Sequence, residues 1–230
     1  MARHLDRDLE RIKKQILTIG SLVEEQTNNA IFALVNRRED LAQKVMTGDQ
    51  AIDDKEVEVE EDCLKILALH QPVAFDLRFI VTVMKVNNDL ERVGDLALNI
   101  AERAAFLASN PPLEVPEEFS RMAEQVREMV RLAIDSLVNH DTAKAREVCA
   151  HDDDVDETHA AMFNILQDIM RKDPDCIVRS IHLLSASRNL ERIADLATNI
   201  AEDVVFLVDG EVVRHRLSDY LARSNKPRGQ

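Results

Sequence analysis

Glycine and proline are scarce in this chain, five of one and six of the other among 230 residues, and tryptophan is absent. The apolar mass is therefore mostly Leu, Ile, Val and Ala, the usual filling of helix bundles. Phe and Tyr add only 3%, which leaves little for stacking on bases. Lys and Arg number 29 against 43 acids, a formal charge of −14, so there is no basic field for a phosphate backbone and nucleic acid is not an expected partner. No apolar run is long enough to cross a bilayer, which excludes direct membrane insertion, and residues 1–12 are too charged for a signal peptide. Cys63, Cys149 and Cys176 are odd in number and share no C-x-x-C, as expected of buried thiols in a reducing compartment. The glycine patterns of phosphate-binding loops and the G-x-S-x-G of hydrolases are missing too. A di-iron carboxylate enzyme would need paired Glu-x-x-His motifs, and Asp156-x-x-His159 is a single approach to one.

What the chain does have is a copy of itself. Residues 89–102 read DLERVGDLALNIAE and residues 189–202 read NLERIADLATNIAE, with Phe106-Leu107 and Phe206-Leu207 following at the same offset. Repetition at that density implies a duplicated unit of about a hundred residues.

The prolines divide the duplicate into segments. Leu5, Leu9, Ile12, Ile16, Ile19 and Val23 step by three and four, which predicts a helix over 4–37. Val45, Ile52, Val59, Cys63 and Ile66 predict a second over 39–69, and a third runs over 74–109 after Pro72. Asn110-Pro111-Pro112 and Pro116 make residues 110–116 a junction. The plan then repeats over 117–139, 141–172 with Asp141 as N-cap, and 175–208 with Gly210 as C-cap. Three long helices with short links pack antiparallel. The expectation is thus an all-α protein: two tandem three-helix bundles, 4–109 and 117–208, related by a pseudo-two-fold axis. Residues 209–230 form a basic tail, a short helix with a frayed end.

Each copy carries Glu-x-x-x-Asp-x-x-x-Asn: Glu91, Asp95 and Asn99, then Glu191, Asp195 and Asn199. Residues four apart stack on one helix face, so each copy presents three oxygen-bearing side chains in a line. At about 100° per residue the line falls nearly opposite the apolar stripe, on the bundle surface. A lone motif of this kind is ordinarily a solvated face. Here it occurs twice in register, whereas neighbours read as solvent-facing, such as Arg103 and Asp203, have diverged. The second helix of each copy adds Asp49-x-x-x-Asp53 and Asp152-x-x-x-Asp156. Antiparallel packing would gather four or more carboxylates at one place, which calls for separation, protonation or a metal. All-oxygen donors suit magnesium or manganese, and bridging carboxylates also suit iron. His159 is a possible further ligand, and His182 reads as a core or boundary residue.

Gln71-Pro72-Val73-Ala74-Phe75-Asp76-Leu77-Arg78, Leu90-Glu91-Arg92-Val93-Gly94-Asp95 and Asn189-Leu190-Glu191-Arg192-Ile193-Ala194-Asp195 resemble the PhoU family of bacterial phosphate-signalling proteins. The resemblance spans about residues 4–208. It implies a cytoplasmic, non-enzymatic negative regulator of phosphate uptake and the phosphate-starvation response, commonly a homodimer. It also implies two partners, the nucleotide-binding subunit of a phosphate ABC transporter and a membrane sensor histidine kinase, and metal at the acidic motifs in some members. Many relatives carry His directly after the motif Asp, where this chain has Leu96 and Leu196. The alternative is a metal-free adaptor whose acidic face docks a basic partner.

Overall fold

The computed structural model describes residues 2–210. Among them all regular structure is helical, in the order α1 (Ala2–Val35), α2 (Glu39–Gly48), α3 (Gln50–His70), α4 (Ala74–Ala108), α5 (Glu117–Asn139), α6 (Thr142–Ala150), α7 (Asp152–Lys172) and α8 (Ile177–Asp209). A 3-10 turn at Pro174–Cys176 precedes α8. The basic tail expected after Gly210 lies outside the described residues.

Six rods were expected, and α2–α3 and α6–α7 are the two that break. At Gly48-Asp49 the backbone stays right-handed, but the Ile52 N–H reaches back only three residues to the Asp49 carbonyl, at 2.8 Å. At His151 the N–H bonds the Val148 carbonyl three residues back, at 3.1 Å. Such tightened turns bend a rod without ending it. The caps follow local chemistry. Asp141 accepts from Ala143 N–H and Lys144 N–H, and Gly210, at φ 75°, ends α8 left-handed with its N–H on the Phe206 carbonyl. Arg37, also at positive φ, stops α1 two residues short of expectation and donates to the Ala108 and Asn110 carbonyls at the end of α4.

In the first half α1, α3 and α4 pack together, and in the second α5, α7 and α8 do so. The halves meet through α4 on α8 and α1 on α5, so one apolar core runs through both. At the α1–α5 crossing Gly20 has no room for a side chain, since a Cβ there would sit 2.9 Å from Ile134 Cδ1.

Helices α4 and α8 run antiparallel. Arg78 Nε donates to the Leu207 carbonyl at 3.1 Å, Lys85 Nζ to Asp203 Oδ1 at 3.0 Å, and Phe106 stacks on His182 with centroids 3.6 Å apart. Numbers on α4 rise as their partners on α8 fall, so the two acidic motifs meet near the middle of both helices. Asp203 had been read as solvent-facing; it is buried, at 2% exposure. The Lys85 ammonium, from a half-covered position on α4, reaches its carboxylate between the halves. No helix among the described residues is long and apolar enough to cross a membrane.

Candidate functional site

The acidic motifs occupy matching positions in α4 and α8, and burial along residues 89–101 repeats residue by residue along 189–201. In both, the Glu and Asn are half-buried and the Asp is exposed. The expected convergence of the second and third helices takes place. Burial raises the Glu91 carboxyl above its ordinary range, followed by repulsion from Asp95, Asp53, Glu56 and Asp49. Asp53 is raised by burial and then by Asp49 and Asp54. In the second copy burial again leads. It raises Glu191, with Asp156 and Asp152 adding to it against Arg188 and Arg192, and Asp195, with Glu191 and Asp156 adding to it. Asp152 rises through burial and then Asp195 and Asp156, against a lowering hydrogen bond from Thr198. Two clusters therefore exist, each made by neighbours from two helices.

Neighbours outside the motifs hold the clusters in place. In the first copy the Gln26 amide, buried on α1, donates to Asp49 Oδ1 at 3.0 Å and to the Val45 carbonyl. In the second, the Thr198 hydroxyl donates to Asp152 Oδ1 at 3.2 Å. Glu56 joins the first cluster, its own carboxyl raised by burial, Glu60 and Asp53. Its counterpart His159 bonds Ser187 Oγ at 3.0 Å, and burial lowers its basicity. Asn99 turns one amide hydrogen to the Asp95 carbonyl of its own helix, at 2.9 Å.

Gly94 makes the first cluster compact. A Cβ there would stand 3.1 Å from Ile52 Cδ1 and 3.7 Å from Asp49 Oδ1. Ala194 and Val155 fill the equivalent positions of the second copy.

Every donor in both clusters is oxygen, the chemistry that hard cations prefer. Among the described residues, however, no three His, Cys, Asp or Glu side chains are gathered closely enough to hold a metal ion. Between the clusters, where α4 crosses α8, lies a hollow of about 240 Å³ walled by Arg92, Asp95 and Asn99 and by Arg192, Asp195 and Asn199. Buried Leu96 and Leu196 complete the lining. The two positions that carry His in many relatives thus serve here as apolar packing at the crossing.

Duplicated helical units, a shared core and a pair of carboxylate clusters beside the crossing define a tandem-repeat helical bundle. The sequence model of the PhoU domain matches residues 16–104 and again 119–204. A phosphate-specific transport system accessory protein PhoU homolog of Aquifex aeolicus is 42% identical over 92% of this chain and 96% of its own length. A homolog of the same description from Pseudomonas aeruginosa is 38% identical over 94% and 89%. The crystal structure of PhoU from Pseudomonas aeruginosa superposes with a TM-score of 0.85 at 38% identity, covering 90% of this chain and 99% of that one. That of the phosphate transport system regulatory protein PhoU from Streptococcus pneumoniae gives 0.85 at 29% identity, over 91% and 99%. The chain belongs to the PhoU family.

Proposed function

We propose that this protein is a non-catalytic accessory of phosphate-specific transport, restraining phosphate uptake and the phosphate-starvation response when phosphate is plentiful. It acts in the cytoplasm, as a homodimer, by contact with the nucleotide-binding subunit of a phosphate ABC transporter and with a membrane sensor histidine kinase. The relatives' descriptions as phosphate-specific transport system accessory proteins support this role. Pull-down from cells grown in ample phosphate tests it: both partners are expected. Recovery of neither, together with an enzymatic activity mapping to the acidic motifs, refutes it.

In the same reading, the two clusters are cation sites. The observation that carries this is the convergence of repeated carboxylates whose protonation is favoured by burial and mutual repulsion. Glu91, Asp95, Asn99, Asp49 and Asp53 would hold one ion and Glu191, Asp195, Asn199, Asp152 and Asp156 another, once their side chains turn inward. Magnesium, manganese or iron would supply positive charge that neutralises the cluster and locks α3 to α4 and α7 to α8. A cation at a hundred times its dissociation constant stabilises the fold by about 2.7 kcal/mol per site, or roughly 5–10 °C in melting temperature at 2–4 °C per kcal/mol. Asp95→Asn should remove the first site's share and leave the second's. A melting temperature that no divalent ion raises above its value in chelator refutes the cation sites. The absence of a gathered ligand group favours a second reading, a metal-free adaptor whose acidic face docks a basic partner, and that outcome would support it.

A further inference from the structure

The hollow at the α4–α8 crossing is distinct from the clusters on either side of it. Its wall is built twice over: Arg92, Asp95 and Asn99 from one copy face Arg192, Asp195 and Asn199 from the other. The space, about 240 Å³, is many times the roughly 10–15 Å³ one water requires. We propose that it binds one protonated tetrahedral oxyanion, inorganic phosphate, and that it does so when cations occupy the two flanking clusters. The proposal rests on the cation reading given above and adds an anion to it.

The donor set selects the ligand. A guanidinium offers only donors, in a planar fork that fits an oxyanion edge. An ionised carboxylate offers only acceptors. A wall holding two of each therefore suits an anion with bare oxygens for the arginines and hydroxyls for the aspartates. Dihydrogen phosphate has two of each, arranged about a two-fold axis, and the wall is repeated by an approximate two-fold. Sulfate carries no proton near neutral pH, so two of its oxygens would face carboxylates with nothing to share. Arg92 is open to a ligand: its Nη1 lies 3.5 Å from Asp89 Oδ1, at the limit of a hydrogen bond, and its side chain is half-exposed. Asn99 gives one amide hydrogen to the Asp95 carbonyl and keeps the other to offer.

Cations enter because of what lies just outside. The wall is formally neutral, two guanidiniums against two aspartates, but Glu91, Asp49 and Asp53 stand on one side and Glu191, Asp152 and Asp156 on the other. That field opposes any anion. A divalent ion on each side reverses its sign. Linkage then requires that phosphate tighten cation binding by the same factor by which cations tighten phosphate.

Equilibrium dialysis of the full chain against radiolabelled inorganic phosphate, in chelator and in magnesium, tests this directly. One phosphate per chain is expected in magnesium, with binding at least about tenfold weaker in chelator. Equimolar sulfate should not compete. Arg92→Gln with Arg192→Gln should take up magnesium as the wild type does, measured by elemental analysis, yet bind phosphate at least about tenfold more weakly. Wild-type protein that loads magnesium but takes up no phosphate overturns the anion site and leaves the cation reading standing. Absence of both ligands overturns both. Phosphate bound equally well in chelator, displaced by equimolar sulfate, or retained by the double variant overturns the proposal as well.

Discussion

Gly94→Ala combined with Ile52→Val would give the first copy the helix crossing that the second already has, Ala194 against Val155. Alone, Gly94→Ala sets a helix-propensity gain of about 1 kcal/mol against overpacking. The new methyl would stand 3.1 Å from Ile52 Cδ1, in a site where Ile52 is 2% exposed. Overpacking of that kind costs about 1–3 kcal/mol, so the single variant should fall between neutral and about 2 kcal/mol less stable. Ile52→Val alone removes a buried methyl and should cost about 0.5–1.5 kcal/mol. Together, the valine lacks the atom the alanine would strike, and the alanine fills the space the valine vacates. The double variant should match or exceed the wild type, which makes the coupling at least about 1 kcal/mol. At roughly 2–4 °C per kcal/mol for a chain of this size, the cycle is readable by circular dichroism melting as well as by urea titration, both in chelator. Four stabilities that add within about 0.5 kcal/mol would refute the complementary packing of glycine and isoleucine.

Burial, and then Lys13, lowers the basicity of His140, whose ring meets Phe75 and Phe79 edge-on. Its folded value lies below the unfolded one, so its contribution is complete above about pH 6.5 and is lost as pH falls through that value towards the folded one. His140→Phe should flatten the stability profile between pH 7 and 5, and an unchanged acid limb refutes this role. The thiols of Cys63 and Cys149 are each pushed up to about 12 by burial and neighbouring acids. A disulfide reagent at pH 8 should therefore label them at the rate of unfolding, and labelling within the mixing time of native protein counts against that. Thr198→Val removes the hydroxyl that holds Asp152, whereas Gln26→Leu removes the amide that holds Asp49. Each should cut the cation-induced melting shift at its own cluster, and a pair of variants that both keep the full shift would dissociate these side chains from the sites.

The duplication was legible because Leu90-Glu91-Arg92 and Leu190-Glu191-Arg192 sit in the same register, and the junction because three prolines cannot continue a helix. The bends at Asp49 and His151 were not. Val45, Ile52, Val59 and Ile66 are all buried at seven-residue steps that run straight through the first bend, as Val148, Val155 and Met162 run through the second. A break that keeps the buried stripe in phase leaves no trace in periodicity. Thr198 could have been suspected, since Leu98 replaces it in the first copy. Gln26 could not, because only the packing of α1 against α2 places it beside Asp49. Helical arithmetic correctly set the motifs opposite the apolar stripe, but it cannot say which helix lies alongside. The hollow between α4 and α8, and the burial of Asp203 against Lys85, belong to tertiary structure alone.

The contact between α4 and α8 also sets a schedule for synthesis. Helix α4 packs against α1 and α3 of its own half, but its other flank is covered by a segment made about a hundred residues later. At translation rates of about 5–20 residues per second, the first half leaves the ribosome roughly 5–20 seconds before α8 can reach it. During that interval a nascent three-helix unit carries an apolar flank open to any other unfinished chain nearby. Duplication supplied this protein with its paired sites, and it also left the first copy dependent on the second for the last wall of its core.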